Sequence, residues 1–588
     1  MALIYTYCRK SIHDDYFFVD PLRMLAEKIM APKFNLKNHI MIEKHCHASI
    51  LSKIESIKNL NAQNSDEETL LLEYKATLPS FLKGIVFSGN IYRKKPFDLD
   101  PFINIFAKFQ PEFEKYIFNV FQQYWPAEAL SEIRGKVLKE YIDSFTHQLG
   151  EIYKVIHKEF IWVLETKKKL QKIEEEQLLD DMQRKLLTRC KSYIYKVKED
   201  NLPNYMLSIL SDRGFLPNYF GLGGNIIAYV NKGYSATWNK IDFELNRTAL
   251  IALREYSPGN LIYANGGKYR TAFFHFPVRE DTNERIDAIL PDSYLFSTET
   301  FRIIEKGQPT SGYNQGELVE IEGIPISNVD LSFLSHVSDS DDYRFRMACR
   351  SAGYLQSYHR GGEIYSINDL ELHHIHGQKI RFVNIGPIAK EKDFEFGYPI
   401  CIVCGATRSP FASDRELEHF IEHHSKETCG KEPDNYALTT DADVDMLLFK
   451  SFKEKSEAIN YAEAIRMGAN IILEMNRDDL EILLLPETEE EYNVVIYDPM
   501  PGGSGLLGQI IERWKEVCKA ALILLDCSNQ CQLSCYVCMR TYRNIMNHES
   551  FDRNLAMDLI KNYTTNIVFR HDIPARTGQQ IQTGTSTN

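Results

Sequence analysis

The chain has 588 residues, of which 44% are apolar and 12% aromatic, and its formal net charge is -13. A chain of this size can bury several hydrophobic cores, so we expect three or four domains. It lacks any uninterrupted apolar run of about 18 residues, and charges follow soon after Met1, which argues against a membrane span and a signal peptide. We therefore expect a globular, cytoplasmic protein without membrane contact. The acidic balance opposes non-specific attraction to phosphate, so DNA contact needs a local basic surface or a partner.

The residue pattern divides the chain into five segments. Residues 1–100 predict a small module, and residues 101–200 predict a helical bundle or hairpin because apolar residues recur at intervals of three and four. Residues 201–440 predict a β-rich, mostly antiparallel domain, since short strand-like segments alternate with Gly and Pro. Residues 441–573 alternate helix and strand, and residues 574–588 predict a disordered tail. The expected fold class is therefore α+β and multidomain, with a helical region, a β-rich domain and an α/β C-terminal domain.

A first group of candidate metal ligands lies in the β-rich segment. Cys401 and Cys404 form a Cys-x-x-Cys knuckle with Gly405 behind it, and a helix-like stretch then leads to two histidines and Cys429. Three thiolates and one imidazole are an ordinary zinc ligand set. The spacing does not decide between the two histidines, of which we favour His424 over His423. The alternative is a surface knuckle to which neither histidine contributes a ligand.

A buried-type strand from Val494 ends in the glycine-rich turn Asp498-Pro-Met-Pro-Gly-Gly-Ser-Gly505. Such a turn could present backbone N–H groups to a phosphate at a helix N-terminus. It lacks the Lys and Ser or Thr of a P-loop, so we favour a tight strand-to-helix turn with Ser504 as the N-cap. Asp498 is either a turn former or a polar site residue. Because no G-x-x-x-x-G-K-[ST] motif occurs in the sequence, we expect no ATP hydrolysis by this chain alone.

The second group is denser, with four thiols inside twelve residues, at Cys527, Cys531, Cys535 and Cys538. Four thiolates saturate a tetrahedral zinc ion and leave no position for water, so this site should stabilise the fold rather than perform chemistry. An iron–sulfur cluster, which also takes four cysteines, is the alternative. Two zinc ions per chain are therefore expected. Cys518, at helical spacing with apolar residues, is expected to be a small buried hydrophobe.

The C-terminal motifs together resemble the MrfA-type zinc-binding domain found in a group of superfamily 2 DNA helicases and phage-defence proteins. The resemblance rests on the Tyr-Asp-x-x-Pro-Gly-Gly-x-Gly turn, the four-cysteine loop and the Asp552-Arg553 pair followed by Ala556. Upstream, residues 207–219 and 254–269 are similar to segments that precede the cysteines in those helicases. Residues 13–45 resemble the stretch after the second RecA-like lobe, which makes residues 1–100 a post-RecA linker or winged-helix-like module.

This resemblance implies the C-terminal half of a split helicase, or a subunit like DrmB of a DISARM or Druantia type defence system. In that case the chain is not an enzyme on its own and works with a separate ATPase motor chain on DNA. The resemblance also makes three arginines of the C-terminal segment candidate phosphate contacts: Arg540, Arg543 and Arg553. The alternative is a stand-alone zinc-dependent nuclease or hydrolase that uses Asp498 and nearby histidines at a metal with an open position.

Overall fold

The computed structural model describes residues 35–57, 100–196, 209–217, 225–230, 243–276, 290–307, 318–338, 345–387, 396–424 and 432–576. Within these ranges it leaves out residues 124, 128, 177, 180, 212, 298, 299, 301, 346, 477, 478, 489, 490, 542 and 543. Most of the predicted N-terminal module and residues 577–588 of the predicted tail therefore lie outside the described residues, as do Cys429 and Arg543.

The predicted helical region is confirmed. Helix α1 (His39–Ile57) lies in the predicted N-terminal module, and the helices of the predicted helical region are α2 (Asp100–Lys108), α3 (Gln110–Gln122), α4 (Gly135–Glu176) and α5 (Asp181–Lys196). Apolar side chains at intervals of three and four line one face of each helix, and they meet in a core rich in phenylalanine. Phe113, Phe145 and Phe160 are at most 1% exposed in this core. The lysine run at 167–169 lies on α4, whose long polar face is open to solvent.

The rest of the described chain is built on two sheets. The strands in chain order are β1 (Asn225–Val230), β2 (Phe243–Thr248), β3 (Ile262–Ala264), β4 (Gly267–Phe274), β5 (Asp292–Ser297), β6 (Ile303–Glu305), β7 (Leu318–Pro325), β8 (Val329–His336), β9 (Cys349–Leu355), β10 (Gly362–Ile367), β11 (Leu370–Pro387), β12 (Tyr398–Ile400), β13 (Asp434–Phe452), β14 (Glu481–Thr488), β15 (Glu491–Asp498) and β16 (Val568–Ile573). The further helices are α6 (Ala249–Glu255), α7 (Asp414–His423), α8 (Lys455–Ile472), α9 (Leu506–Glu512), α10 (Trp514–Leu525) and α11 (Arg553–Asn562).

The smaller sheet has the order β2-β1-β8-β4-β3, and the larger sheet runs β16-β10-β11-β13-β7-β5-β6 with β9, β12, β14 and β15 attached beside it. Among the described strands, only the pairs β1 with β8 and β13 with β7 are parallel, which confirms the mostly antiparallel prediction. The long strand β13 crosses the predicted border at residue 440. The β-rich and C-terminal segments therefore share one sheet.

Helices α8, α10 and α11 cover the C-terminal part of the larger sheet. Alanine and glycine dominate the face of α8, which allows α10 to approach its backbone closely: a Cβ atom on Gly468 would lie 2.2 Å from the carbonyl oxygen of Val517. Cys518 is 0% exposed at this contact, so its predicted role as a buried hydrophobe is confirmed. Among the helices that the structure describes, none combines the length and the apolarity needed to cross a membrane.

The first described residues dock on the glycine-rich turn near the other end of the chain. The Asn38 side-chain amide donates to the carbonyls of Pro501 and Gly503, each at 2.9 Å. Asn35 donates to Gly503 at 2.9 Å and to Gly502 at 3.3 Å. Since Gly502 and Gly503 both have φ of +74°, the turn is held in a conformation that other residues rarely adopt. The start of α1 is thus fixed against the C-terminal domain.

Candidate metal centres

The four cysteines of the C-terminal group meet in the loop between α10 and α11. The Sγ atoms lie 3.6 Å apart for Cys527 and Cys535, 3.7 Å for Cys531 and Cys538, and 3.8 Å for Cys535 and Cys538. Zinc–sulfur bonds of about 2.3 Å at tetrahedral angles place the sulfurs about 3.8 Å apart. The four thiols therefore fit one four-coordinate zinc ion, and their spacing favours a single ion over a multi-iron cluster.

The loop is held by two of the arginines that were predicted to contact phosphate. Arg553 donates through Nε to the Cys531 carbonyl at 2.7 Å and through Nη1 to the Leu525 carbonyl at 3.0 Å. Arg540 donates through Nε to Ser534 Oγ at 2.8 Å. Both side chains thus orient the cysteine loop, as outer-shell groups do around a structural ion. Their predicted contact with phosphate stays a prediction, and Arg543 lies outside the described residues.

Helix α8 supplies the polar anchors beneath this loop. Asn460 donates to the Ser550 carbonyl at 2.7 Å and accepts from the Asp552 N–H at 2.8 Å. Glu463, buried in an ion pair of 2.6 Å with Arg466, also accepts from the Asn544 side chain at 3.2 Å. The loop is therefore part of the domain core, so we expect loss of the ion to destabilise α8.

Three of the four residues predicted for the first group come together, and the fourth, Cys429, lies outside the described residues. Cys401, Cys404 and His424 are buried with their ligand atoms within 4.8 Å of one another, and Cys404 Sγ lies 3.3 Å from His424 Nε2. Gly405 adopts φ of +78° behind the knuckle, where a Cβ atom would lie 1.8 Å from the Phe274 carbonyl oxygen. His424, at the end of α7, faces the thiols. The neighbouring His423 is exposed and stacks on His419, with ring centroids 4.0 Å apart.

This geometry predicts different results for the two histidines. We expect His424→Ala to lower the metal content of the purified chain by one equivalent, because it removes the imidazole that faces the thiols. His423→Ala is the matched control and should leave the metal content unchanged. Elemental analysis of both variants beside the wild type measures this. Retention of metal by His424→Ala together with its loss from His423→Ala would contradict the assignment.

The glycine-rich turn follows β15 and precedes α9 as predicted, but the predicted cap is wrong. The N-cap of α9 is Gly505, with φ of +89°, and it has no side chain to cap the helix. Ser504 instead points back, and its N–H and hydroxyl both donate to Asp498 Oδ2, at 2.6 and 2.5 Å. Burial raises the pKa of the Asp498 carboxyl, and the nearby Asp445 adds to the rise. Asp498 thus organises the turn, with a third hydrogen bond from the Met500 N–H.

A third group of ligand-type side chains was missed in the sequence. Glu363 on β10 lies beside His374 and His376 on β11, and the ligand atoms of the three lie within 4.8 Å of one another. Burial lowers the pKa of His376, but the carboxylates of Asp445 and Glu363 raise it by more, to about 9. The signal was present as a His-x-His pair in a strand, which places both rings on one face. The sequence did not show that this strand pairs with β10, the strand that carries Glu363.

The four-cysteine loop lies in a segment that matches a known protein family. The family model described as the MrfA Zn-binding domain matches residues 461–539, which includes most of α8 and all four cysteines of the loop. The chain carries an MrfA zinc-binding domain. Zinc is the ion that this domain type binds, in agreement with the sulfur spacing. The match lies within the predicted segment 441–573 and ends one residue after Cys538.

The MrfA zinc-binding domain is part of a wider similarity. The Druantia protein DruE of Escherichia coli (strain UMEA 4076-1) is 22% identical over 95% of this chain, which spans only 31% of DruE. The crystal structure of the DUF1998 helicase MrfA bound to DNA is 10% identical, covering 64% of this chain and 42% of MrfA with a TM-score of 0.28. A second crystal structure of the DUF1998 helicase MrfA gives a TM-score of 0.27 and 10% identity, covering 56% of this chain and 34% of MrfA. Such TM-scores do not establish a common fold.

Proposed function

We propose that this chain is a non-catalytic, zinc-binding accessory part of a DNA helicase or translocase that acts in bacterial anti-phage defence. It scaffolds a separate ATPase motor chain in the cytoplasm and guides DNA past it. The similarity to DruE supports the defence role, and the MrfA zinc-binding domain supports the link to helicases. The closed ligand set of the four cysteines supports a structural rather than a chemical role for that ion.

The observation that carries the DNA-guiding role is an arginine-lined cavity of about 610 Å³ beside the first metal group. Three arginines line it together with polar residues, one acidic residue and three apolar residues: Arg270, Arg408, Arg415, Ser409, His419, Glu416, Phe411, Ala412 and Phe420. In a chain of net charge -13, this concentration of guanidinium groups supports the proposal because phosphate binding requires a local basic surface. Guanidinium groups pair with phosphate oxygens through two parallel hydrogen bonds.

The salt dependence of DNA binding tests whether the arginines of the cavity contact phosphate. Each phosphate neutralised on duplex DNA contributes about 0.9 to the slope of log K against log salt concentration. The double variant Arg270→Gln/Arg415→Gln changes two exposed side chains and should reduce that slope by about 2. The matched control Lys168→Gln/Lys169→Gln removes the same charge from the exposed face of α4 and should change the slope by less than about 1. Equal effects of the two variants would remove the cavity from the proposal.

The accessory role is tested by assays of the chain with and without a motor. We expect no ATP hydrolysis by the purified chain and a stoichiometric complex with an ATPase chain from the same defence system. The alternative, a stand-alone zinc-dependent nuclease or hydrolase, is favoured by one observation, the three-ligand group at Glu363, His374 and His376. It predicts DNA cleavage by the chain alone, lost on chelation of that site while the fold persists.

A further inference from the structure

The group formed by Glu363, His374 and His376 is created by strand pairing. Glu363 on β10 lies directly opposite His374 on β11 in the antiparallel register. His376 is two residues further along β11, so it projects from the same face as His374. The ring centroids of the two histidines are 4.3 Å apart. Two imidazoles and one carboxylate thus converge on one point above the sheet.

The distances suit coordination of one metal ion. His374 Nδ1 lies 3.1 Å and His376 Nε2 lies 3.4 Å from the same carboxylate oxygen, Glu363 Oε2. Metal–nitrogen and metal–oxygen bonds of about 2.0–2.2 Å at tetrahedral angles place the ligand atoms about 3.3–3.5 Å apart. Glu363 Oε2 is buried, and neither nearby nitrogen is aligned to donate a hydrogen bond of good geometry to it, so the two contacts are ion pairs. An ion at the centre of the three atoms would satisfy that oxygen.

The outer contacts orient His376 as a ligand. Its Nδ1 lies 3.5 Å from Asp445 Oδ2 on the neighbouring strand β13, and its Nε2 faces Glu363. The other carboxylate oxygen of Asp445 accepts the Gly377 N–H at 3.0 Å. Metal-binding histidines usually donate their second ring N–H to a carboxylate in this way, which fixes the ring and the tautomer. Asp445 is therefore the positioning residue of the group.

We propose that Glu363, His374 and His376 bind a divalent transition-metal ion, separate from the two cysteine-containing groups, with water completing its coordination. Two imidazoles and a carboxylate bind zinc, iron(II) or manganese(II), in contrast to the thiolates of the other groups. Three protein ligands leave a position open, so an oxygen of a substrate could replace the water. This inference goes beyond the proposed accessory function and does not depend on it.

Cobalt(II) is the probe that separates this site from the cysteine groups. A cobalt ion bound through nitrogen and oxygen gives weak visible bands, whereas a thiolate site adds intense charge transfer in the near ultraviolet. We expect the full chain, prepared with zinc in the two cysteine-containing groups alone, to bind one equivalent of Co²⁺ with visible bands alone. Absence of such binding would overturn the proposal and leave the group as ion pairs between histidines and carboxylates.

Cobalt binding by single-residue variants tests which side chains bind the ion. His376→Ala changes a partly exposed ring and should abolish the cobalt equivalent, and Asp445→Asn should weaken its binding roughly 10- to 100-fold. His373→Ala, on the opposite face of β11, is the matched control and should bind cobalt as the wild type does. Retained zinc in the cysteine groups reports that each variant is folded. Unchanged cobalt binding by a folded His376→Ala variant would equally overturn the proposal.

Discussion

Replacement of Cys538 by serine is expected to release one zinc ion and to unfold the C-terminal domain. Cys538 is 0% exposed, and its sulfur lies within 3.8 Å of those of Cys531 and Cys535. Structural zinc sites contribute about 10–16 kcal/mol of apparent binding free energy in small domains. That is as large as the roughly 5–15 kcal/mol by which most whole domains are stable, so loss of the ion should abolish cooperative folding. Elemental analysis and calorimetry of the variant measure both effects.

Cys518→Ala supplies the control, because Cys518 is equally buried in the same domain but is no ligand. It should keep the full metal content and lose only about 1–2 kcal/mol, as expected for a small core truncation. If Cys538→Ser kept as much zinc as Cys518→Ala, the four-thiolate site would be excluded. Iron in the wild-type chain, with visible absorbance, would instead establish the iron–sulfur alternative.

Gly468→Ala is expected to produce the second large effect, a loss of about 3 kcal/mol or more in the stability of the C-terminal domain. The added Cβ would lie 2.2 Å from the Val517 carbonyl oxygen and 3.1 Å from the Ala521 Cβ, so α8 and α10 must separate. Ala otherwise favours helix over Gly by about 1 kcal/mol, which the clash should outweigh. The shift of the thermal midpoint, measured by calorimetry, gives the change.

Gly508→Ala makes the same substitution in α9, where the nearest atom, Cε1 of His374, is 4.0 Å from the added Cβ. Here only the helix propensity acts, so the variant should be neutral or up to about 1 kcal/mol more stable. The two variants therefore have opposite expected signs. A neutral Gly468→Ala would mean that the helices are packed less closely than described.

The parts that the sequence predicted correctly are those with local signals. The four cysteines fall within twelve residues, and a single loop can bring them together whatever the rest of the fold does. The helices of residues 100–196 follow from their apolar spacing, and the glycine-rich turn follows from its composition. A Cys-x-x-Cys knuckle and one helix of the right length were enough to predict that Cys401, Cys404 and His424 lie close together. In each case the interacting residues are near neighbours in the chain.

The parts that were missed depend on pairing between distant residues. Glu363 lies beside His374 because of the register in which β10 pairs with β11, and the sequence does not specify that register. The continuation of β13 across residue 440 reflects its neighbours β11 and β7, which no local composition specifies. Ser504 was assigned as a cap because serine commonly caps helices, but the carboxylate of Asp498 competes for its hydroxyl and N–H.

The docking of Asn38 on the turn at Pro501 and Gly503 also constrains when the protein can mature during translation. These partners are 463 and 465 residues apart, and ribosomes add about 5–20 residues per second, so a nascent α1 waits roughly 20–90 s for its binding surface. Until then the amide of Asn38, which is 3% exposed in the finished fold, has no partner there. The turn therefore completes the contacts of α1 long after α1 itself has been synthesised.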